Sequence, residues 1–201
     1  MQNEYLDQFW FRLVRNPMES MSVEYKCSET WDNLKNKIVK ACLAMANLRD
    51  GGYIVIGVKR KGVHGQLVAT GMQPEHLQTW DVDKVQQYVN KYAEPYVHLE
   101  IRFLQDNNKQ FVVIRVKQFD TVPVLCRKDL PDENLHKGDL LIRPPGTIES
   151  RRVQTAEEMR AVLDIAIDIG VQKFLQRAHE VRLLPISPSD EELFNKQLEG
   201  L

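Results

Sequence analysis

The side chains best placed to do chemistry lie near the start of the chain, in Glu19 and the run Glu24-Tyr25-Lys26. On an extended strand, residues two apart project to the same side, so Glu24 and Lys26 point together. Glu19 lies just ahead and can approach from a loop. Two neighbouring carboxylates can hold a divalent cation such as Mg²⁺ or Mn²⁺, and an adjacent lysine can steady a phosphate or activate a water. That makes Glu19, Glu24 and Lys26 candidate catalytic residues and the two glutamates candidate metal ligands. The same spacing equally describes a surface strand with one ion pair, and spacing alone does not separate the two readings.

A second group is cationic: Lys59-Arg60-Lys61, followed much later by Arg143, Arg151 and Arg152. Arginine and lysine on the loops of a sheet can track phosphates, although solvated turns also collect lysines. The chain carries 27 Lys+Arg and 28 Asp+Glu, a net charge of −1. A strongly basic coat protein for nucleic acid is excluded, and a polyanion site must arise by clustering. A third group is Ala46-Asn47 and Gly51-Gly52 ahead of an apolar run to Gly57-Val58. The order helix, glycines, strand reverses that of a P-loop or dinucleotide fingerprint, and neither motif is present. Asn47 reads as a group that satisfies a terminal helix carbonyl.

The elements that must position these residues follow from periodicity. Residues 2–15 carry Leu6, Phe9, Trp10, Leu13 and Val14 at helical spacing before Asn16-Pro17, a helix expected to dock on the domain. Residues 22–27 read as a strand. Ser28 or Thr30 caps a helix over 29–48 with Trp31, Leu34, Ile38, Ala41, Cys42, Met45 and Ala46 on one stripe. Residues 53–58 read as a strand buried on both faces. A basic turn at 59–62 leads to a strand at 66–70. Asp81 caps a helix over 81–94, and strands at 97–104 and 110–117 flank a four-residue hairpin loop, Asp106-Asn107-Asn108-Lys109. Short strands at 122–126 and 140–143 enclose an irregular stretch. Thr155 and Glu158 form a capping box for a helix that Gly170 breaks or bends, and residues 189–198 can form a last helix. The order predicts a mixed α/β fold with flanking helices and a C-terminal helical extension. The boundaries are an N-terminal helix (1–16), an α/β domain (17–153) and the extension (154–201).

Composition sets outer limits. With 201 residues, 43% apolar and 27% charged, the chain is not disordered, collagenous or coiled coil. Cys27, Cys42 and Cys126 are odd in number with no C-x-x-C, and the five histidines show no ligand spacing. Both facts fit a reducing compartment without structural zinc. There is no apolar run of membrane-spanning length and no secretory h-region at the start. A cytoplasmic protein is expected.

Taken together, Glu19-x4-Glu24-Tyr25-Lys26, the helix ending in Ala46-Asn47, Gly51-Gly52 with its strand to Gly57-Val58, and Gly62-Val63-x-Gly65 resemble the Schlafen domain family, also described as Alba-like. Leu140-Leu141-Ile142-Arg143-Pro144-Pro145-Gly146-Thr147 looks like that family's later strand and turn, and the resemblance spans residues 18–163. It implies an α/β domain that binds DNA or RNA on a basic surface, here through Lys59, Arg60, Lys61, Arg143, Arg151 and Arg152. It also implies regulatory or defence roles, and in some members metal-dependent cleavage of structured RNA. Those nucleases use the two glutamates, matched by Glu19 and Glu24, plus an aspartate where this chain has Lys59. A cation there repels a divalent metal, unless Asp139 or Glu100 supplies the missing acid. A homodimer is expected. The competing readings are a metal-dependent endoribonuclease and an interaction domain whose helical tail assembles with itself or a partner.

Overall fold

The computed structural model describes residues 2–62 and 65–181. In chain order its first elements are α1 (Gln2–Arg15), β1 (Val23–Lys26), α2 (Trp31–Ala46), β2 (Gly52–Ile56), β3 (Val58–Lys61) and β4 (Gln66–Ala69). Then follow α3 (Pro74–Leu77), α4 (Val82–Asn90), β5 (Ala93–Glu94), β6 (Leu99–Asp106), β7 (Lys109–Val116), β8 (Leu125–Cys126), β9 (Leu141–Ile142), β10 (Arg151–Arg152) and α5 (Ala156–Glu180). The expected mixed α/β fold with a C-terminal helix is what forms.

The central sheet has the order β1-β2-β7-β6. β1 runs parallel to β2, joined through α2, and β2, β7 and β6 pair antiparallel. The pleat divides the apolar run of β2 and β7 between two layers. Ile54, Ile56, Val112, Ile114 and Val116 pack beneath α2, in a core that also takes in α4 and the segment 124–142. Val55, Phe111 and Val113 turn the other way and meet Trp10, Leu13 and Val14 of α1 together with Tyr25. The predicted docking of α1 therefore occurs, and Tyr25 fastens it by donating its hydroxyl to the Leu13 carbonyl at 3.0 Å.

α2 is buried well beyond its predicted stripe, with Val39, Leu43 and Ala44 also out of solvent. Its start depends on tertiary contacts. Thr30 stands at the N-cap but makes no side-chain cap bond, and the Trp31 N–H donates instead to Thr79 Oγ1 at 2.8 Å. At its other end Gly51 has φ +72°, and a Cβ there would lie 2.0 Å from the Val116 carbonyl oxygen. Only glycine lets the chain turn that tightly beside β7.

Several local expectations change. The basic segment at 59–61 is not a turn but strand β3, because its backbone finds a ladder with β4. The β6–β7 hairpin closes on two residues, Asn107 and Asn108, both with positive φ, since Asp106 and Lys109 still pair. α4 ends at Asn90, whose buried side chain bonds the Val97 backbone, and β5 follows it. The strand expected at 122–126 shrinks to β8, and a 3-10 turn at Pro131–Glu133 gives the irregular stretch some order. Gly170 does not break α5, because neighbouring good helix formers carry the helix through it. Asp81 and Thr155 act as the caps predicted for α4 and α5. The helix expected at 189–198 lies outside the described residues.

Candidate functional site

β1 is one edge of the central sheet, and an open groove of about 530 Å³ lies along it. Strand alternation sends Tyr25 toward α1 and leaves Glu24 and Lys26 on the α2 side. Lys26 Nζ lies 2.6 Å from Glu24 Oε1, so the predicted same-side pair exists as an ion pair. α2 contributes Lys37, Lys40 and Ala41, which helical spacing puts on one face. Glu19 arrives from the loop before β1 and is paired with Arg60 of β3. Glu133, Ile148, Glu149 and Ser150 complete the walls.

Beside Glu24 stands Arg143, with its side chain fully out of solvent. Its Nη1 donates to Glu24 Oε2 at 2.9 Å, and its Nη2 donates to the Ile148 carbonyl. Burial pulls the guanidinium below the ordinary arginine value, while the charge and hydrogen bond of Glu24 oppose that shift. Asn47 holds the surrounding backbone in place. Its buried amide nitrogen lies within hydrogen-bond reach of the Leu43, Val124 and Leu141 carbonyls, and its Oδ1 accepts from the Val124 N–H. It therefore does more than finish α2. It welds the helix end to β9 and so sets where Arg143 emerges. Nearby Cys42 is buried, and burial, reinforced by the charge of Glu24, pushes its thiol up and leaves it unreactive.

The six predicted phosphate-binding cations do not converge. Arg143 is internal: its side chain lies fully out of solvent behind Glu24 and the Ile148 carbonyl, so it offers nothing to a ligand at the surface. Arg151 forks onto Glu158 of α5. Arg152 is held by Asp139 Oδ2 at 2.6 Å and by His136 Nδ1 at 2.7 Å. Arg60 faces Glu19, whereas Lys59 and Lys61 alternate to the other face of the β3–β4 ribbon. Lys59 is thus not among the groove residues, and the β3 cation that meets a groove glutamate is Arg60, at Glu19. The acids considered in place of the missing aspartate lie elsewhere. Asp139 is engaged by Arg152, and Glu100 pairs with Arg102 on the opposite edge strand of the sheet. Sequence reading missed Lys37, Lys40, Glu133 and Glu149. Only the i, i+3 spacing of Lys37 and Lys40 on one face of α2 signalled any of them.

The donor set does not suit Mg²⁺ or Mn²⁺. Glu19 and Glu24 are each neutralised by arginine or lysine, and among the described residues no three His, Cys, Asp or Glu side chains gather in a metal-binding group. A hard cation would have to displace three ion pairs to gain two ligands. What the groove can do is exchange internal carboxylate partners for an external polyanion. Lys37 enters that exchange freely, because it has no ion-pair partner among the described residues.

A family model described as Schlafen, AlbA_2 matches residues 19–150. That span begins at Glu19 and holds Glu24, α2, Asn47, both hairpins and Arg143. Among solved structures, the DIP2311 protein of Corynebacterium diphtheriae is similar over 80% of this chain at 14% identity and a TM-score of 0.50, which shows a shared fold. This chain spans 28% of the length of that protein. The N-terminal domain of a DNA-helicase RecG-related protein of Nitrosomonas europaea is 20% identical over 74% of this chain and 88% of its own length, with a TM-score of 0.41. No curated protein matches the sequence. No helix among the described residues is long and apolar enough to cross a membrane.

Proposed function

This chain belongs to the Schlafen, AlbA_2 family, and on that premise we propose that it is a nucleic-acid-binding domain that holds the phosphodiester backbone along the β1–α2 groove. The observation that carries the reading is the meeting of Lys26, Lys37, Lys40 and Arg60, from three separate elements, in one concave face. The groove is mixed in charge rather than purely basic. Its glutamates hold three of the cations in fixed positions and spare them the mutual repulsion of an empty cationic slot. Phosphate oxygens then compete for cations that are already oriented, while Lys37 adds a contact with no bond to break among the described residues. Lys59 and Lys61, exposed on the neighbouring ribbon, extend the track beyond the groove. Contacts of this kind read the backbone and position the ligand without reading sequence. We assign the domain a regulatory or defence role of the binding type rather than a cleaving one, because its carboxylates serve as partners for cations.

The test is an anisotropy titration of labelled duplex DNA and hairpin RNA at low salt. Lys37→Glu/Lys40→Glu is expected to weaken binding at least tenfold and to lower the salt slope by about two, one for each lost phosphate contact. Lys59→Glu/Lys61→Glu is expected to weaken binding by a smaller factor. Equal affinity in the wild type and both double variants overturns the assignment. Robust Mn²⁺-dependent cleavage that Glu24→Ala abolishes would replace it with the nuclease reading.

A further inference from the structure

A second cavity, of about 310 Å³, opens where β2 begins and β7 ends, and it shares no residue with the β1–α2 groove. Arg115 and Lys117 are alternate residues at the end of β7 and project to one side. The Lys117 N–H donates to the His98 carbonyl at 3.0 Å, so the strand geometry continues one residue past β7. α5 supplies another wall. Ile169 packs on the core, and Lys173, one turn further along the helix, lines the cavity beside it. The Lys173 Nζ donates to the Asp120 carbonyl at 2.7 Å, a bond that fixes the ammonium without neutralising it. Buried Phe119 gives the lining an apolar part. α5 lies beyond the segment matched by the family, so the family match does not account for this wall.

The cations of this cavity are not neutralised internally. Among the described residues, none of Arg115, Lys117 and Lys173 has an ion-pair partner. Two carboxylates also line the cavity, but Asp120 Oδ2 lies 4.0 Å from His98 Nε2, and Asp50 pairs with none of the three cations. Arg115 carries the argument. Its guanidinium carbon lies 5.9 Å from the centroid of the Tyr53 ring, and its Nε is buried without a hydrogen-bond partner. Native chains leave few buried donors unsatisfied. A guanidinium set on an aromatic face, with an unpartnered N–H edge beside a cavity, is suited to a planar fork onto an oxyanion. Lys117 and Lys173 add two point charges around the same space.

We propose that this cavity is a phosphoryl-anion site, in which Arg115 forks onto a phosphomonoester and Lys117 and Lys173 meet its remaining charge. A small rotation of the Arg115 side chain turns its Nε edge to the ligand and satisfies the orphaned donor. A monoester presents three terminal oxygens and close to two negative charges, which suits three cations better than the single charge of a backbone diester. The volume admits a phosphate with a small organic body and excludes a duplex. The monoester is carried either by a small metabolite or by the 5′ end of a strand. The second source rests on the groove reading, whereas the site itself does not.

The first probe is inorganic phosphate, followed in ¹H–¹⁵N correlation spectra of the full chain at constant ionic strength. A saturable shift of the Arg115 Nε–Hε signal is expected, with a Kd of about 1 mM. Arg115→Gln, read on the Lys117 amide, is expected to weaken phosphate binding about tenfold. Lys173→Ala, at an exposed position on which the fold does not depend, is expected to weaken it about threefold. A nucleoside monophosphate and two hairpin RNAs, one with a 5′-phosphate and one with a 5′-hydroxyl, separate the sources. Tighter binding of the monophosphate than of inorganic phosphate assigns the site to a small metabolite. A preference for the 5′-phosphate hairpin that Arg115→Gln abolishes assigns it to a strand end. An Arg115 signal that stays still up to about 50 mM phosphate, or that moves equally in chloride, overturns the proposal. Phosphate binding that both Arg115→Gln and Lys173→Ala leave intact overturns it as well. The groove is tested by nucleic-acid binding in Lys37→Glu/Lys40→Glu, so the two readings fail separately.

Discussion

Arg143 Nη1 donates to Glu24 Oε2 at 2.9 Å across 119 residues of chain, joining the edge strand β1 to the end of β9 at the base of the groove. The arginine cannot reach solvent, while the glutamate stands at the rim and also holds Lys26. One carboxylate therefore couples an internal cation to one on the groove surface. The same arginine fixes the Ile148 carbonyl, so the 148–150 wall of the groove depends on the pair.

Removing one member of this pair leaves the other without its partner. Arg143→Leu is expected to destabilise the fold by about 3 kcal/mol, toward the lower end for a buried pair because Glu24 retains Lys26. In urea that corresponds to a fall of about 1 M in the unfolding midpoint. Arg143→Leu/Glu24→Leu is expected to lose less than the sum of the two single variants, which a double-mutant cycle measures. Additive losses would mean that the two side chains act independently.

Asn47 makes the second long-range tie. Asn47→Ala leaves the buried Val124 N–H and the Leu141 carbonyl without their side-chain partner. The expected loss is about 2–3 kcal/mol in equilibrium unfolding. Asn47→Asp is expected to be no milder, since it removes the donors and brings a charge into the core. A variant as stable as wild type would reduce Asn47 to an ordinary helix end.

Acid sensitivity follows from two partly buried glutamates. Glu158 lies below its ordinary value of 4.5, first because of the Arg151 hydrogen bond and then because of the Gln154 N–H. Glu29 lies below the same value, first through the Thr30 N–H and then through Asn33. A depressed folded-state value means that the unfolded chain takes up the proton first. The stabilisation is complete above 4.5 and is lost as pH falls through the depressed values. Thermal melts are expected to show Tm falling between about pH 5 and pH 3, with a shallower fall in Glu29→Gln/Glu158→Gln. An identical acid slope in that variant would assign the loss to other carboxylates.

The local periodicities by themselves determined the main helices, the apolar strands and the caps at Asp81 and Thr155. Period and capping are properties of neighbours in the chain, and neighbours are legible. The pairing of Glu24 with Lys26 was legible for the same reason, because a strand places alternate residues on one side whatever surrounds it. Lys59-Arg60-Lys61 shows where this kind of reading stops. Consecutive cations look like one patch in a string of letters, but once β4 supplies a ladder they fall on opposite faces, and Glu19 takes Arg60. Arg143, Arg151 and Arg152 looked equivalent as isolated positive charges. Only the tertiary structure assigned them to Glu24, Glu158 and Asp139 and left exposed Lys37 and the ribbon lysines without an ion-pair partner among the described residues. Charge is a property of the residue, but a free charge is one whose neighbours in space have not already neutralised it. Those neighbours lie up to 119 positions away along the chain.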